Sequence, residues 1–381
     1  FTALRFLEWV QKNPNGVMSL PTGKTPEHFI YFVTHYLKNW RKTHVQRDLQ
    51  DNGLDPTKKP EMDGRHFIQM DEFYPIDPNQ KNSFYYYVKK YYIDSFGLDP
   101  DKAMLMNLWN IGVPEHVSPD QVFPNGVVDL SLRHRHAVNQ QERLQKQVLE
   151  AVDEYCTNFE QKIRSLGGIG FFLGGIGPDG HIAFNIKGSD HYSTTRLTAT
   201  NYETQAAAAG DLGGIEVSRN RLVVTIGLRT IAHNKNVVAI IIAAGEAKAK
   251  IVADAIESEK SNQSPASILQ DLPNARFYLT KGAACRLVQR RLVDFKNQDE
   301  LPQEEIERVV IDLALKHDKK IVDLALKDMR ADPFVDHVLK KSDLTHERIL
   351  KDVESSLIRK IDAGVEEVTN TTFMHTAPHH D

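Results

Sequence analysis

Through the first three-quarters of the chain, short apolar runs alternate with longer stretches whose apolar residues recur every three or four positions. The runs Gly16–Leu20 (GVMSL), His66–Met70 (HFIQM), Ile169–Leu173 (IGFFL), Leu222–Ile226 (LVVTI), Val237–Ala243 (VVAIIIA) and Ala275–Leu279 (ARFYL) have the length and composition of buried strands. The stretches Glu27–Trp40, Ser83–Ser95, Gln140–Ser165 and Glu246–Glu259 carry helical spacing. Such alternation predicts an α/β fold with a mainly parallel sheet covered by helices on both faces. In sheets of that kind ligands bind beyond the carboxyl ends of the strands, so the residues just after each run are the places to look for chemistry.

From about Leu301 the strand signal stops, and Glu, Asp, Lys, Leu and Ile dominate up to residue 362. "IDLALKH" (311–317) recurs as "VDLALKD" (322–328), an offset of eleven residues or about three helical turns. These features predict an α/β domain over 1–295, a helical extension or linker over 296–370 whose apolar stripe packs on the main domain or a partner, and a tail over 371–381. The length of 381 residues suffices for this. A net charge of −4 gives no reason to expect nucleic acid or an acidic membrane as partner. Two distant cysteines, Cys156 and Cys285, argue against a disulfide framework or a zinc knot. Val237–Ala244 is the longest apolar stretch and is far too short to span a bilayer. No secretory signal opens the chain, which starts at Phe1, and a cytoplasmic location is the expectation.

Three segments hold residue types suited to chemistry. "SLPTGKTP" (19–26) follows a strand and precedes a helix. Gly23 permits a tight turn, Thr22 and Thr25 offer hydroxyls, Lys24 adds a point charge, and the free N–H groups of a helix start favour an anion. The alternative is a capped turn with Thr25 as N-cap and Pro26 in the first helical position. "FIQMDEFYP" (67–75) ends a strand with adjacent carboxylates, Asp71 and Glu72, of which only one can face a given pocket. A partly desolvated carboxylate there is placed to act as a general base. "FFLGGIGPDGHIAFN" (171–185) places Gly175 and Gly177 where backbone can approach a ligand, and puts Asp179 two residues before His181. That histidine is suited to proton transfer near neutral pH and the aspartate to orienting it.

Taken in this order, the segments resemble the glucosamine-6-phosphate deaminase (isomerase) family and its lactonase relatives. "LPTGKTP" is similar to that family's LPTGGTP phosphate loop, "QMDEFYP" to its NMDEY segment, and "GGIGPDGHIAFN" to its GGxGxDGHIAFNEP signature. Residues 82–107, 155–177 and 243–258 continue the likeness, the last with a GxxK helix, so that it covers roughly residues 5–290. The resemblance implies a three-layer Rossmann-like α/β fold and conversion of glucosamine 6-phosphate to fructose 6-phosphate and ammonia without cofactor or metal. It implies Asp71 as the base moving a proton between C2 and C1, and His181 with Asp179 assisting ring opening. It also implies a phosphate seat of Thr22, Gly23, Lys24 and Thr25 beside Gly175 and Gly177, with Lys248 reaching in. Members range from monomers to hexamers, so a homo-oligomer is within the family's range.

The chain departs from the family pattern in three places. Ile186 stands where the family has Glu after AFN, so ring opening should be slower or differently assisted. The family's phosphate-binding Arg has no match in "NYETQAAAA" (201–209), which puts Lys24 or Arg196 forward as the substitute cation. Residues 108–139 look inserted, either as a surface loop or as a lid carrying His134, Arg135 or His136. Finally, "FMHTAPHHD" (373–381) resembles the start of a zinc-dependent N-acetylglucosamine deacetylase, whose metal motif opens with Pro-His-x-Asp-Asp. A 6-phosphogluconolactonase-like hydrolase and a non-catalytic sugar-phosphate sensor are the alternatives to the deaminase.

Overall fold

A computed structural model describes residues 1–375 except 24, 203–204 and 207–220, with side chains described to residue 364. The chain divides into two compact units, Phe1–Arg286 and Leu287–Asp381. Among the described residues no helix is long and apolar enough to cross a membrane.

The first unit is built on a six-stranded sheet. Its strands are β1 (Val17–Ser19), β2 (His66–Ile68), β4 (Ala103–Met104), β5 (Phe171–Gly175), β8 (Val238–Ala243) and β9 (Ala275–Leu279), in the spatial order β4-β2-β1-β5-β8-β9. Every pairing in it is parallel. The chain therefore travels outward from β1 to β4 and then returns to β5 on the other side of β1. That reversal makes β1/β5 the topological switch point, where a crevice opens beyond the carboxyl ends.

Phe171 and Phe172 are neighbours on β5, so their side chains leave opposite faces, and both are fully buried. Both faces of the sheet are thus covered. On the Phe171 side lie the helices Thr2–Lys12, Glu27–Asn39 and Thr43–Asp51 and the helical segment 84–96, with Phe6, Phe29, Phe67, Tyr92 and Phe96 in one core. Phe6 sits 5.2 Å from the Phe171 ring and 5.4 Å from that of Phe29. The helix Thr2–Lys12 was not expected from the strand-and-helix alternation, yet its buried Ala3, Phe6, Leu7 and Val10 follow helical spacing.

The helix Gln140–Ser165 begins where Asn139 accepts the Glu142 N–H (2.8 Å), the usual way a short polar side chain opens a helix. Its Tyr155 hydroxyl donates to the Leu105 carbonyl (3.1 Å). Glu160, also on this helix, is buried and accepts from Thr195 N–H (3.2 Å), Thr195 Oγ1 (2.9 Å), Thr230 Oγ1 (2.7 Å) and Arg164 Nε (2.9 Å).

Leu222–Ile226 does not join the parallel sheet as expected. Residues Leu222–Thr225 form β7, the middle of a separate antiparallel sheet with β3 (Asp71–Tyr74) and β6 (Arg196–Thr198). All four β7 residues are buried, so its continuous apolar run matches that of a parallel-sheet strand. Asp71 and Glu72 accordingly open a strand of their own and do not end the one before it.

Residues 108–139 pack as short turns that bury Leu108, Val122, Phe123 and Leu132. Arg135 is bound to Glu142 (2.7 and 2.9 Å) and to Asp129 (2.8 Å), and Arg133 to Asp153. These ion pairs commit Arg133 and Arg135 to neighbouring side chains, and none of His134, Arg135 and His136 borders the cavities lined by Thr25.

The second unit contains the helices Val288–Lys296, Gln303–Lys316, Leu326–Ala331, Pro333–Lys341 and His346–His375, around Phe295, Val310, Leu313, Met329, Val335 and Val353. Its boundary at Leu287 precedes the expected one at 295 because Phe295 belongs to this core. Much of the apolar stripe is buried in the unit's own interior, while Leu315, Leu344, Ile358 and Ile361 are exposed. The eleven-residue repeat is not a structural one: the first copy is helical, while the second starts as a 3₁₀ turn and turns extended at Leu324 (φ −68°, ψ 121°). The Pro-His-His-Asp run at 378–381, and with it the expected deacetylase start, lies outside the described residues.

Replacing Glu160 by Ala would strand several buried donors and should cost roughly 3–5 kcal/mol in urea denaturation at pH 7. Burial opposes the charge on Glu160, but its hydrogen bonds to Thr230, Arg164 and Thr195 outweigh burial and hold the carboxyl below the usual range. Its contribution should therefore be complete above the ordinary glutamate pKa and be lost only as pH falls through the lower folded value.

Candidate active site

Four strand ends converge at the switch point. After β1, the loop Leu20–Thr25 turns at Gly23, whose φ of +82° is the left-handed conformation that glycine adopts without penalty. The helix that follows starts at Glu27 with Pro26 in the cap position and no side-chain cap. The capped-turn alternative fails on that point: Thr25 is not its N-cap, and its side chain instead lines the cavities on this side of the sheet together with Gly175. Lys24 lies outside the described residues.

After β2, Asp71 and Glu72 point to opposite sides of β3, as the period of a strand requires. Glu72 is 1% exposed and accepts four hydrogen bonds: from Phe73 N–H (2.9 Å), Ser83 Oγ (2.9 Å), Phe84 N–H (3.0 Å) and Tyr85 N–H (2.7 Å). It thereby fastens the start of the helical segment 84–96; burial raises its carboxyl to about 7, and the hydrogen bonds keep it below that of Asp71. Asp71, 6% exposed, makes no side-chain hydrogen bond among the described residues and faces the cavity. Burial, aided by the charge of Glu72, pushes the Asp71 carboxyl up to about 8.

After β5 comes the glycine-rich turn. The Gly177 N–H donates to the His181 carbonyl (2.9 Å), and a Cβ at Gly177 would lie 2.0 Å from the His181 ring. Only glycine lets the imidazole fold back against the turn. His181 Nδ1 stands 2.5 Å from Asp179 Oδ1. The other Asp179 oxygen accepts from Lys187 N–H (3.0 Å) and Asn201 Nδ2 (2.7 Å). Partial burial disfavours the Asp179 charge, but the hydrogen bond and charge of His181 outweigh it and hold this carboxyl well below the usual range. An ionised Asp179 requires the proton on Nδ1, which leaves Nε2 free for exchange.

The resulting cavity, of about 260 Å³, is walled by Thr22, Thr25, Asp71, Phe84, Gly175, Gly177, His181 and Phe184 among others. A second one, of about 560 Å³, shares Thr25, Gly175 and Ile176 with it and is bordered by Lys248. Burial lowers the Lys248 ammonium from the ordinary lysine value, and the charge of Asp179 counters it. A dry carboxyl, an oriented imidazole and a lysine beside a hydroxyl-rich turn suit proton transfer on an anionic substrate.

The description "Glucosamine-6-phosphate isomerases/6-phosphogluconolactonase" belongs to the family model that matches residues 120–277. Glucosamine-6-phosphate deaminase 2 of Giardia intestinalis is 24% identical over 287 residues, covering 75% of this chain and 87% of that protein. Residues 120–277 thus carry a likeness to the glucosamine-6-phosphate isomerase/6-phosphogluconolactonase family. Glucosamine-6-phosphate deaminase of Caenorhabditis elegans is 35% identical over 144 residues, a match spanning 38% of this chain and 53% of that protein. The solved structure of a monomeric glucosamine-6-phosphate deaminase aligns at a TM-score of 0.52 and 22% identity, over 74% of this chain and 93% of that one. That likeness shows the family's fold.

Set against the family pattern, Arg196 is not brought to the cavity. Its guanidinium donates to Asn185 Oδ1 (2.9 Å) and the Thr194 carbonyl (3.3 Å), and Asn185 in turn donates to the Ile182 and Ile226 carbonyls (3.1 and 2.8 Å). Ile186, where the family carries Glu, does not border the cavity either. The backbone N–H of Lys187 and the amide of Asn201 anchor Asp179. Sequence reasoning overlooked Phe184, whose ring stacks 6.4 Å from His181, and the tyrosines of the helical segment 84–96. The aromatic run "FYYYVKKYY" was the available signal for the latter.

Nitrogen-15 NMR of the His181 imidazole should show the proton on Nδ1 across neutral pH. Asp179→Asn should abolish that preference, and Gly177→Ala should displace the ring and perturb the same resonances while the protein stays folded.

Proposed function

We propose that this chain isomerises and deaminates a phosphorylated amino sugar, converting glucosamine 6-phosphate and water to fructose 6-phosphate and ammonia. The observation that carries the proposal is the placement of the Asp71 carboxyl and the Asp179-oriented His181 on one cavity wall with the Thr22–Thr25 turn. His181 moves the proton that opens the ring. Asp71 takes the C2 proton of the open-chain sugar, and the electron pair moves to form the C1–C2 enolamine while the carbonyl oxygen gains a proton. Return of the proton to C1 leaves an imine at C2. Water adds there, the C–N bond breaks, and ammonia departs. Thr22, Gly23, Lys24 and Thr25 hold the phosphate with Lys248, so that the reacting carbons stay within reach of the carboxyl. Asn201 and the Lys187 N–H hold Asp179 against His181 with no carboxylate at position 186, which supports activity despite Ile186.

Ammonia release from glucosamine 6-phosphate tests the proposal. The wild-type protein should release it, and Asp71→Asn should lose at least about a hundredfold, the low end of what a general base contributes. No release from the wild type would overturn the proposal. Because Asp71 works in its ionised form, kcat/KM should rise with pH toward a midpoint near 8. Glu72→Gln removes the neighbouring charge that helps to hold this value up, and should move the rising limb to lower pH.

A further inference from the structure

The helical segment that begins at Phe84 is not uniform. Residues Phe84–Val88 are α-helical, Lys89–Ile93 form a π turn in which the Asp94 N–H bonds the Lys89 carbonyl, and Asp94–Phe96 resume the α-helix. In a regular α-helix, residues five apart differ by about 140° around the axis, because 3.6 residues make a turn. A π turn, with its i→i+5 bond, brings residues five apart toward the same face. Here the residues so aligned are Tyr87 and Tyr92. The Tyr87 hydroxyl donates to the Gly23 carbonyl (2.9 Å), and the Tyr92 hydroxyl to the Pro21 carbonyl (2.6 Å).

Both acceptors belong to the loop that carries Thr22 and Thr25. A carbonyl held by a hydroxyl fixes its peptide plane, and with it the direction of the next residue's N–H. Tyr92 therefore sets the plane whose N–H belongs to Thr22, and Tyr87 fixes the Gly23 carbonyl at the turn. Tyr92 is fully buried against Phe67 (5.5 Å) and Phe96 (5.4 Å), and the two tyrosine rings meet edge to face at 6.2 Å. Core packing thus aims these hydroxyls. At its other end the same segment is fastened by Glu72, the neighbour of Asp71.

We propose that Tyr87 and Tyr92 are positioning residues that hold the Pro21–Thr25 loop in its phosphate-binding shape, and that the π turn serves to bring both hydroxyls onto that loop. The inference rests on the proposed phosphate role of the loop. It assigns these side chains to recognition of the phosphoryl group and not to proton transfer.

The test compares wild type, Tyr87→Phe, Tyr92→Phe and the double variant. Binding of inorganic phosphate and of glucosamine 6-phosphate is measured by calorimetry, alongside KM and kcat for ammonia release and the melting temperature. The single variants should weaken both ligands about three- to tenfold, the usual worth of one hydrogen bond. KM should rise by a similar factor while kcat changes less than twofold, and unphosphorylated glucosamine should bind all four proteins alike. Lower melting temperatures with unchanged KM and phosphate affinity would show a purely structural role and overturn the proposal. Unchanged values throughout would overturn it as well. A wild type that binds glucosamine and its 6-phosphate equally well would overturn the phosphate role of the loop, and with it this inference. A wild type that prefers the phosphate, with variants that keep that preference in full, would overturn the tyrosine assignment alone.

Discussion

The site depends on one buried carboxyl group that points away from the cavity. Glu72 is buried, and an isolated charge there would cost several kcal/mol. Burial raises its carboxyl and its four hydrogen bonds offset part of that cost; three of them come from Ser83, Phe84 and Tyr85 at the start of the next helical segment. The interaction therefore does two things at once. It locks the strand that carries Asp71 to the segment that carries Tyr87 and Tyr92. It also sets a negative charge beside Asp71, which together with burial keeps that carboxyl reluctant to ionise.

The rest of the geometry follows from the sheet. Outward travel from β1 to β4 and return through β5 leave a gap between two loops that diverge, one after β1 and one after β5. The first presents hydroxyls, and the second folds an imidazole against Gly177. The antiparallel sheet then closes a third side: Asp71 pairs with Thr225, and Thr225 pairs with Arg196. This register brings the carboxylate strand up to the crevice without its being part of the parallel sheet.

Much of this was legible in the chain. All six apolar runs are strands, and Gln140–Ser165 is a helix with the expected ends, since periodicity and a capping Asn are local signals. What was not legible depends on distant partners. The apolar run at 222–225 reads the same in a parallel or an antiparallel sheet, and only Asp71–Tyr74 decides its place. Arg196 could be named as a cation by residue type, but its commitment to Asn185 is a tertiary fact. The adjacent Asp71 and Glu72 were separable in principle by strand alternation. Which of them faces the cavity was settled by Ser83, eleven residues downstream of Glu72.

In the proposed reaction the two ends of the cavity make opposite physical demands. A carboxyl that is to accept a proton from carbon gains basicity from being dry, and Asp71 is almost wholly buried. A seat for a phosphate dianion must instead present donors at a rim where the ion can arrive from water. A rigid element spanning both ends reconciles them by fixing their separation. The segment 84–96 is such an element, with Glu72 at its start and the Pro21 and Gly23 carbonyls along its length. A proton shuttled between adjacent carbons tolerates little error in that separation, since a misplacement of about 1 Å can cost a hundredfold in rate. Hydrogen bonds that never touch substrate can therefore control the chemistry as firmly as those that do.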